Sequence, residues 1–165
     1  MNIQRIWHHF AMTQGRVNRA FPRASLRVIE QAITASESTH MGEVRFAVEG
    51  ALDSASLFAG QSARERAIEL FSHLRIWDTE HNSGVLIYLL LADRQVEIVA
   101  DRGIHAKAGT HAWAAICAAM EAAFKQGDFE KGVLQGMHAV TRQLTEHFPV
   151  GTGNSNELPD KPVVL

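Results

Sequence analysis

The sequence is poor in three features, and each scarcity excludes a class of protein. It contains a single cysteine, Cys117, among 165 residues, so it cannot form an internal disulfide. Its 16 basic and 18 acidic residues give a formal net charge of -2, without the basic surplus of nonspecific nucleic-acid binders. The longest strongly apolar run, residues 84–92, is too short to cross a bilayer. We therefore expect no nucleic-acid partner and no membrane span.

Recognisable catalytic and cofactor motifs are also missing from the sequence. It contains no HExxH, no phosphate-binding GxxxxGK[ST] loop, no GxSxG and no CxxC. We therefore identify no nucleophile and expect no organic cofactor. Arg5, His8 and His9 interrupt the N-terminal apolar residues, so this segment is unlike an export signal. We accordingly expect a cytoplasmic protein.

What the sequence does contain is the composition of one globular domain. Hydrophobic residues make up 46% of the chain and charged residues 21%, which is the usual balance for a globular protein. We expect an N-terminal amphipathic helix and linker at 1–24, an α/β domain at 25–149 and an extended tail at 150–165. The tail is identified by three prolines and two glycines within residues 149–165.

The N-terminal helix is expected over residues 2–12. Four apolar residues recur there at helical spacing: Ile3, Ile6, Trp7 and Phe10. This face is expected to dock onto the domain core, with His8 and His9 at the helix surface. A partner or membrane-surface role is the alternative, which the lack of a lysine-rich polar face disfavours. The three tryptophans are interpreted as core or helix-docking residues: Trp7, Trp77 and Trp113.

Hydrophobic periodicity predicts the element order α-α-β-α-β-β-α-α. The predicted helices after the first are 25–38, 62–75, 110–125 and 128–146, and the predicted strands are 43–49, 84–91 and 95–100. The first two strands flank a helix, so they should be parallel. The Asp93-Arg94 turn makes the third strand antiparallel to the second. We expect a three-layer α/β/α sandwich with a small mixed sheet and helices on both faces.

This topology brings three polar segments to the edge formed by the amino ends of the parallel strands. They are residues 37–43, 78–83 and 101–105. Carboxylates, an amide and a histidine together suit Mg²⁺ or Ca²⁺, or mixed ligation of Zn²⁺ or Mn²⁺. The candidate metal ligands are Glu37, His40, Asp78, Asn82 and Asp101. Arg102 and His105 are the candidate substrate-binding residues, with the Arg102 guanidinium suited to a phosphate or carboxylate.

Two observations favour other interpretations of this edge. Ligands of open α/β sheets bind at the carboxyl ends of parallel strands, which is the edge opposite to the one proposed here. That opposite edge holds only Gly50, Asp53 and the Asp93-Arg94 turn, so we keep the amino edge as the candidate. Loops at strand ends are also polar for structural reasons, so the cluster could be a buried polar network with no ion.

The segment NSGVLIYLLLADRQVEIVADRGI resembles the TPM-domain family, which includes a photosystem II repair protein and bacterial proteins described as phosphatases. The resemblance rests on Asn82 and Gly84 before a buried strand, then the Asp93-Arg94 turn, and then a glycine-containing loop at Gly103. It implies an α/β/α sandwich, divalent-metal binding and a phosphatase role. Many members carry an export signal and a C-terminal membrane helix. This chain shows neither and is similar to the stand-alone cytoplasmic branch.

Two hypotheses for the function follow. The first is a metal-assisted phosphatase or related hydrolase, acting on a small phosphorylated substrate with Arg102 on the phosphate. The second is a non-catalytic interaction or quality-control module for an unidentified protein partner, which could itself bind metal. The N-terminal helix and residues 156–165 would then be its docking elements.

Overall fold

The computed structural model describes residues 3–151 and 155–165, which form eight helices and four strands. The helices are α1 (Ile3–Ala11), α2 (Gln14–Ala20), α3 (Arg23–Glu37), α4 (Ser54–Phe58), α5 (Ala63–His73), α6 (Arg102–Ala108), α7 (Thr110–Lys125) and α8 (Phe129–His147). The strands are β1 (Glu43–Glu49), β2 (Gly84–Leu90), β3 (Gln95–Ala100) and β4 (Val163–Val164). All described helices are too short or too polar to span a membrane.

The four strands form one mixed sheet in the order β3-β2-β1-β4. β1 and β2 are parallel, with Glu43 opposite Gly84 and Glu49 opposite Leu90. β2 and β3 are antiparallel. These pairings confirm the predicted topology. All seven residues of β2 are buried, as expected of a continuous apolar strand covered on both faces.

The side chains of the sheet divide the core into two layers. Alternate residues of β1 and β2, such as Val44 and Ile87, pack against α3, α7 and α8. The intervening residues, such as Ala47 and Leu86, pack with α4 and α5. The structure is therefore the three-layer α/β/α sandwich that the sequence predicts. Ser62 and Glu65 form the expected capping box at the start of α5.

Two predicted loops contain short helices instead. Asp53 accepts a hydrogen bond from the backbone of Ser56 and begins α4 inside the predicted loop 50–61. Asp101 accepts one from the backbone of Arg102 and begins α6 inside the predicted loop 101–109. Each aspartate is an N-cap, and an aspartate at such a position is the sequence signal that could have indicated the start of a helix. Helices of five and seven residues are too short to show a clear apolar period.

Residues 155–165 return to the sheet. Val163 and Val164 of this segment pair in parallel with Ala47 and Val48 of β1. The Leu165 amide donates to the carbonyl of Val48 at 2.9 Å. Residues 155–165 thus supply the fourth strand of the sheet.

The N-terminal helix docks in an orientation opposite to the expected one. Of its apolar residues, Ile6 alone is partly buried against the core. Trp7 is 70% exposed and His9 only 4%. The expectation that the apolar face docks and that His9 lies at the surface was therefore wrong. Trp113 is buried as expected, but Trp77 is half exposed.

Candidate functional site at the amino edge of the sheet

The first predicted polar segment contacts the second at the start of β2. The Ser83 hydroxyl donates to the carbonyl of Met41 at 3.2 Å. The Glu43 amide donates to the carbonyl of Ser83 at 3.4 Å. A Cβ added at Gly42 would lie 3.0 Å from the same Ser83 carbonyl oxygen, so the two backbones are closely packed. Residues 41–43 are therefore packed directly against Ser83.

The third segment closes on the second from the other side. The Asp101 amide donates to the carbonyl of Gly84 at 2.8 Å, and the Ile104 amide donates to that of Asn82 at 3.3 Å. A Cβ at Gly103 would lie only 2.6 Å from the Asn82 carbonyl oxygen. This approach requires a residue without a side chain at 103. All three polar segments thus meet around Ser83 and Gly84.

Asp101 is the acidic residue at the centre of this meeting point, and one of its two carboxylate oxygens accepts a hydrogen bond. Its Oδ1 accepts the Arg102 amide at 2.7 Å and caps α6. The residue is 7% exposed. Within the described residues, Oδ2 is buried without a hydrogen-bond partner. A buried carboxylate oxygen without a donor is costly, so Asp101 is the residue here that most favours a cation.

The other candidates at this edge are more exposed. Asp78, Asn82, Arg102 and His105 all face solvent. Asn82 has the left-handed φ of 50°, which places it at the turn before β2. His105 lies in a cleft of about 460 Å³ between β3 and α7. The described residues include no group of three or more His, Cys, Asp or Glu side chains that could hold a metal ion.

Glu37 and His40 form buried hydrogen bonds within the segment that connects α3 to β1. Glu37 accepts the Val44 amide at 3.2 Å, and burial followed by the Glu43 charge raises its pKa to about 8. The His40 Nδ1 accepts the Gly42 amide at 3.2 Å, and burial lowers its pKa to about 4. Both residues therefore hold the backbone leading into β1.

Carboxylates near Glu37 also anchor the C-terminal segment. Glu43 accepts the amides of Glu157 and Leu158 at 3.0 and 3.1 Å. Thr34 donates to Asp160 at 2.5 Å, and Asp160 also interacts with Glu37. Sequence reasoning did not find this cluster, because residues 157–160 carry no periodic signal that pairs them with β1.

The stability of the fold is expected to depend on pH through Glu37 and His40. Glu37 keeps its proton in the folded state to about pH 8 but loses it near pH 4.5 when the chain is unfolded. Its contribution to the free energy of unfolding therefore falls as the pH rises between these two values. His40 has the opposite effect, but only between about pH 4 and 6.5, where its folded and unfolded forms differ. The free energy of unfolding should therefore fall between about pH 6.5 and 8. The slope is limited to about 1.4 kcal/mol per pH unit for one proton.

Urea unfolding at pH 6.5, 7.2 and 8 would measure this slope, with Glu37→Gln as the comparison. The glutamine variant should lose the slope, since it no longer exchanges a proton in that range. Equal slopes in both proteins would contradict the assignment to Glu37.

The carboxyl edge of the sheet holds a polar network that the sequence analysis did not anticipate. Arg66 forms two hydrogen bonds with Glu49, at 2.9 and 3.0 Å, and Tyr88 donates to Glu49 at 2.7 Å. Burial and the Glu49 hydrogen bond raise the pKa of Tyr88. At the same edge, Arg5 and His9 bind Asp93. Glu49 and Tyr88 look like ordinary strand residues in the sequence, and the sheet brings Arg66 of α5 to them.

Fold and site together define a small α/β/α sandwich domain with acidic side chains at the amino edge of its sheet. A model of the family described as the TPM domain matches residues 18–143, so the chain belongs to the TPM-domain family. The fold is similar to the NMR structure of the BA42 protein from the psychrophilic bacterium Bizionia argentinensis. The TM-score is 0.76 and the identity 27%, covering 86% of this chain and 93% of that one. No curated protein matches the sequence.

Proposed function

We propose that this TPM domain binds a divalent cation beside Asp101 and hydrolyses phosphate esters there. The proposal depends chiefly on one observation, the buried Oδ2 of Asp101 without a hydrogen-bond partner in the described part of the chain. A cation at this oxygen would remove the cost of leaving it unsatisfied. Backbone carbonyls lie in the adjoining segment: those of His81 and Asn82 face Gly103, and that of Gly84 accepts the Asp101 amide.

The donor set fits a hard cation better than zinc. Zinc sites take three or four protein ligands, usually Cys, His or carboxylates, and no such group occurs among the described residues. Mg²⁺ and Ca²⁺ accept one or two carboxylates together with carbonyl, amide and water oxygens. Asp101 and the Asn82 side chain would therefore hold Mg²⁺ or Ca²⁺, with Asp78 in the same polar segment as a further candidate.

Binding of the phosphate group would involve the exposed residues of α6. A bound cation would polarise a phosphoryl oxygen. Arg102 follows Asp101 directly and faces solvent, so its guanidinium can bind the remaining phosphate oxygens in bidentate fashion. No described side chain has the setting of an activated nucleophile, and water is therefore the attacking group that we propose.

Calorimetric titration of Mg²⁺ and Ca²⁺ into chelator-treated protein tests the cation site. The wild-type protein should bind one cation, and Asp101→Asn should weaken that binding at least tenfold. Asparagine is as good an N-cap as aspartate, so the variant keeps α6 and removes only the charge. Asp128→Asn is the matched control, because Asp128 is exposed and makes no capping hydrogen bond. Equal affinities in all three proteins, or no binding in any, would rule out the site.

Phosphate release from a panel of phosphate monoesters tests the activity separately. With the bound cation present, Arg102→Gln should raise KM and leave cation affinity unchanged. Cation binding without phosphate release would leave a binding module with a structural ion, which is the second hypothesis. The exposed apolar row of α1 is the observation that favours a binding role.

A further inference from the structure

The helix α1 is held on the domain by its polar side. The Arg5 Nε donates to both carboxylate oxygens of Asp93, at 3.1 and 3.0 Å, and its Nη2 donates to the Gln61 carbonyl at 2.7 Å. The His9 Nε2 lies 2.9 Å from Asp93, and its Nδ1 accepts the Leu52 amide at 3.1 Å. Burial raises the pKa of Asp93, but the hydrogen bonds from Arg5 and His9 outweigh this effect and hold the pKa below its usual range. Charge-assisted bonds thus determine which side of α1 faces inward.

The apolar side of α1 consequently faces solvent. Ile3, Trp7 and Phe10 are 69%, 70% and 60% exposed, and they repeat at i, i+4 and i+7 along one side of the helix. Phe58 of α4 is 56% exposed and extends this row, with its ring centroid 6.4 Å from that of Phe10. We call these four residues the α1 apolar surface. A contiguous row of large apolar side chains, held outward, is a feature of binding surfaces.

Three of these four residues lie in an N-terminal segment whose charge has one sign. The first 29 residues contain five arginines and no aspartate or glutamate, so all 18 acidic residues of the chain lie beyond them. Arg16, Arg19, Arg23 and Arg27 are all exposed. The first two lie on α2, which begins three residues after the end of α1. The apolar surface is therefore accompanied by a segment suited to anionic partners.

We propose that the α1 apolar surface docks onto an anionic lipid bilayer, with α1 lying in the plane of the interface. Apolar side chains including tryptophan on one side, with basic residues nearby, characterise interfacial helices. A second copy of this chain fits less well. A symmetric dimer through α1 would bring two arginine-rich, acid-free segments together, and their like charges would repel.

Vesicle flotation tests this docking with the intact protein. Vesicles of phosphatidylglycerol and phosphatidylcholine should carry the protein upward, and vesicles of phosphatidylcholine alone should carry at least tenfold less. Raising the salt concentration should release it, because exposed charges are screened. Trp7→Ser combined with Phe10→Ser should reduce binding to anionic vesicles about tenfold or more. Arg16→Glu combined with Arg19→Glu should remove the preference for anionic lipid.

Trp77→Ser is the matched control, because Trp77 is 51% exposed but lies after α5 instead of on α1. It should bind vesicles like the wild type. The α1 variants should also keep the wild-type melting temperature, since the replaced side chains are exposed, so lost binding would not reflect unfolding.

Three results would overturn the proposal. One is failure of the wild-type protein to bind anionic vesicles. Another is equal binding by the Trp7→Ser, Phe10→Ser variant and the wild type. The third is a dimer in sedimentation velocity that this variant abolishes, which would assign the surface to a second copy. Cation titration reports on the opposite edge of the sheet, so failure there leaves the vesicle result unaffected.

Discussion

Gly84→Ala is expected to lower the free energy of unfolding by about 3 kcal/mol, at the upper end of the usual cost of overpacking. A Cβ at this position would lie 2.1 Å from the carbonyl oxygen of Ile76 and 2.9 Å from its Cγ2. Ile76 is fully buried, and Gly84 is paired with both Glu43 and Asp101, so the surrounding backbone has little room to move. Urea unfolding monitored by circular dichroism would measure the change.

Gly15→Ala is the matched control for this substitution. Gly15 lies in the first turn of α2, where the nearest atom to an added Cβ is the Thr13 hydroxyl at 3.8 Å. Alanine is the better helix former, so this variant should be unchanged or up to about 1 kcal/mol more stable. A loss at Gly84 no greater than that at Gly15 would mean that the segment before β2 can move away from the added methyl group.

Arg66→Gln is expected to cost about 3 kcal/mol, because it leaves the Glu49 carboxylate buried without its cation. Glu49 has a side chain only 8% exposed, and Arg66 forms both of its ionic hydrogen bonds. The neighbouring Tyr88 hydroxyl continues to donate, but one neutral donor does not replace a charged pair. The same urea unfolding experiment applies.

Two further variants complete this test. Arg142→Gln removes an exposed arginine of α8 and should change stability by less than about 0.5 kcal/mol. Adding Glu49→Gln to Arg66→Gln should cost less than the two single losses combined, since it removes the unpaired charge. Additive losses would show that the two side chains stabilise the fold independently, contrary to the bidentate pairing in the structure.

The two proposed activities use opposite ends of the sheet. Asp101 lies beside Gly84 at the amino end of β2, whereas α1 is bound to Asp93 just after the carboxyl end. If both proposals hold, the site at the amino edge would face away from the bilayer to which α1 docks. A substrate could then reach Arg102 while the protein stays on the membrane.

Much of the fold could be predicted from the sequence because its strands have clear local signals. The alternation of Val44, Phe46 and Val48 identifies β1, and the unbroken apolar run that begins at Gly84 identifies β2. The helix between them requires parallel pairing, which the structure has. The meeting of three polar segments at the amino edge follows from that topology.

The details of the candidate site were less predictable, because they depend on the direction of each side chain. Glu37 and His40 lie in the expected segment, but their hydrogen bonds go to the backbone of Val44 and Gly42. Only atomic positions show that Asp101 keeps a buried oxygen without a partner within the described residues.

The sequence by itself therefore determined the elements, the sandwich architecture and the polar character of one sheet edge, because local periodicity and chain connectivity decide these features. Tertiary structure decided which face of α1 points outward. Hydrophobic periodicity favoured burial of Trp7, but the ionic hydrogen bonds of Arg5 and His9 to Asp93 turn that face to solvent. Those partners are more than 80 residues apart in the chain, so no local pattern could connect them. Residues 155–165 joined the sheet for the same reason, through contacts with β1 that only the folded chain brings together.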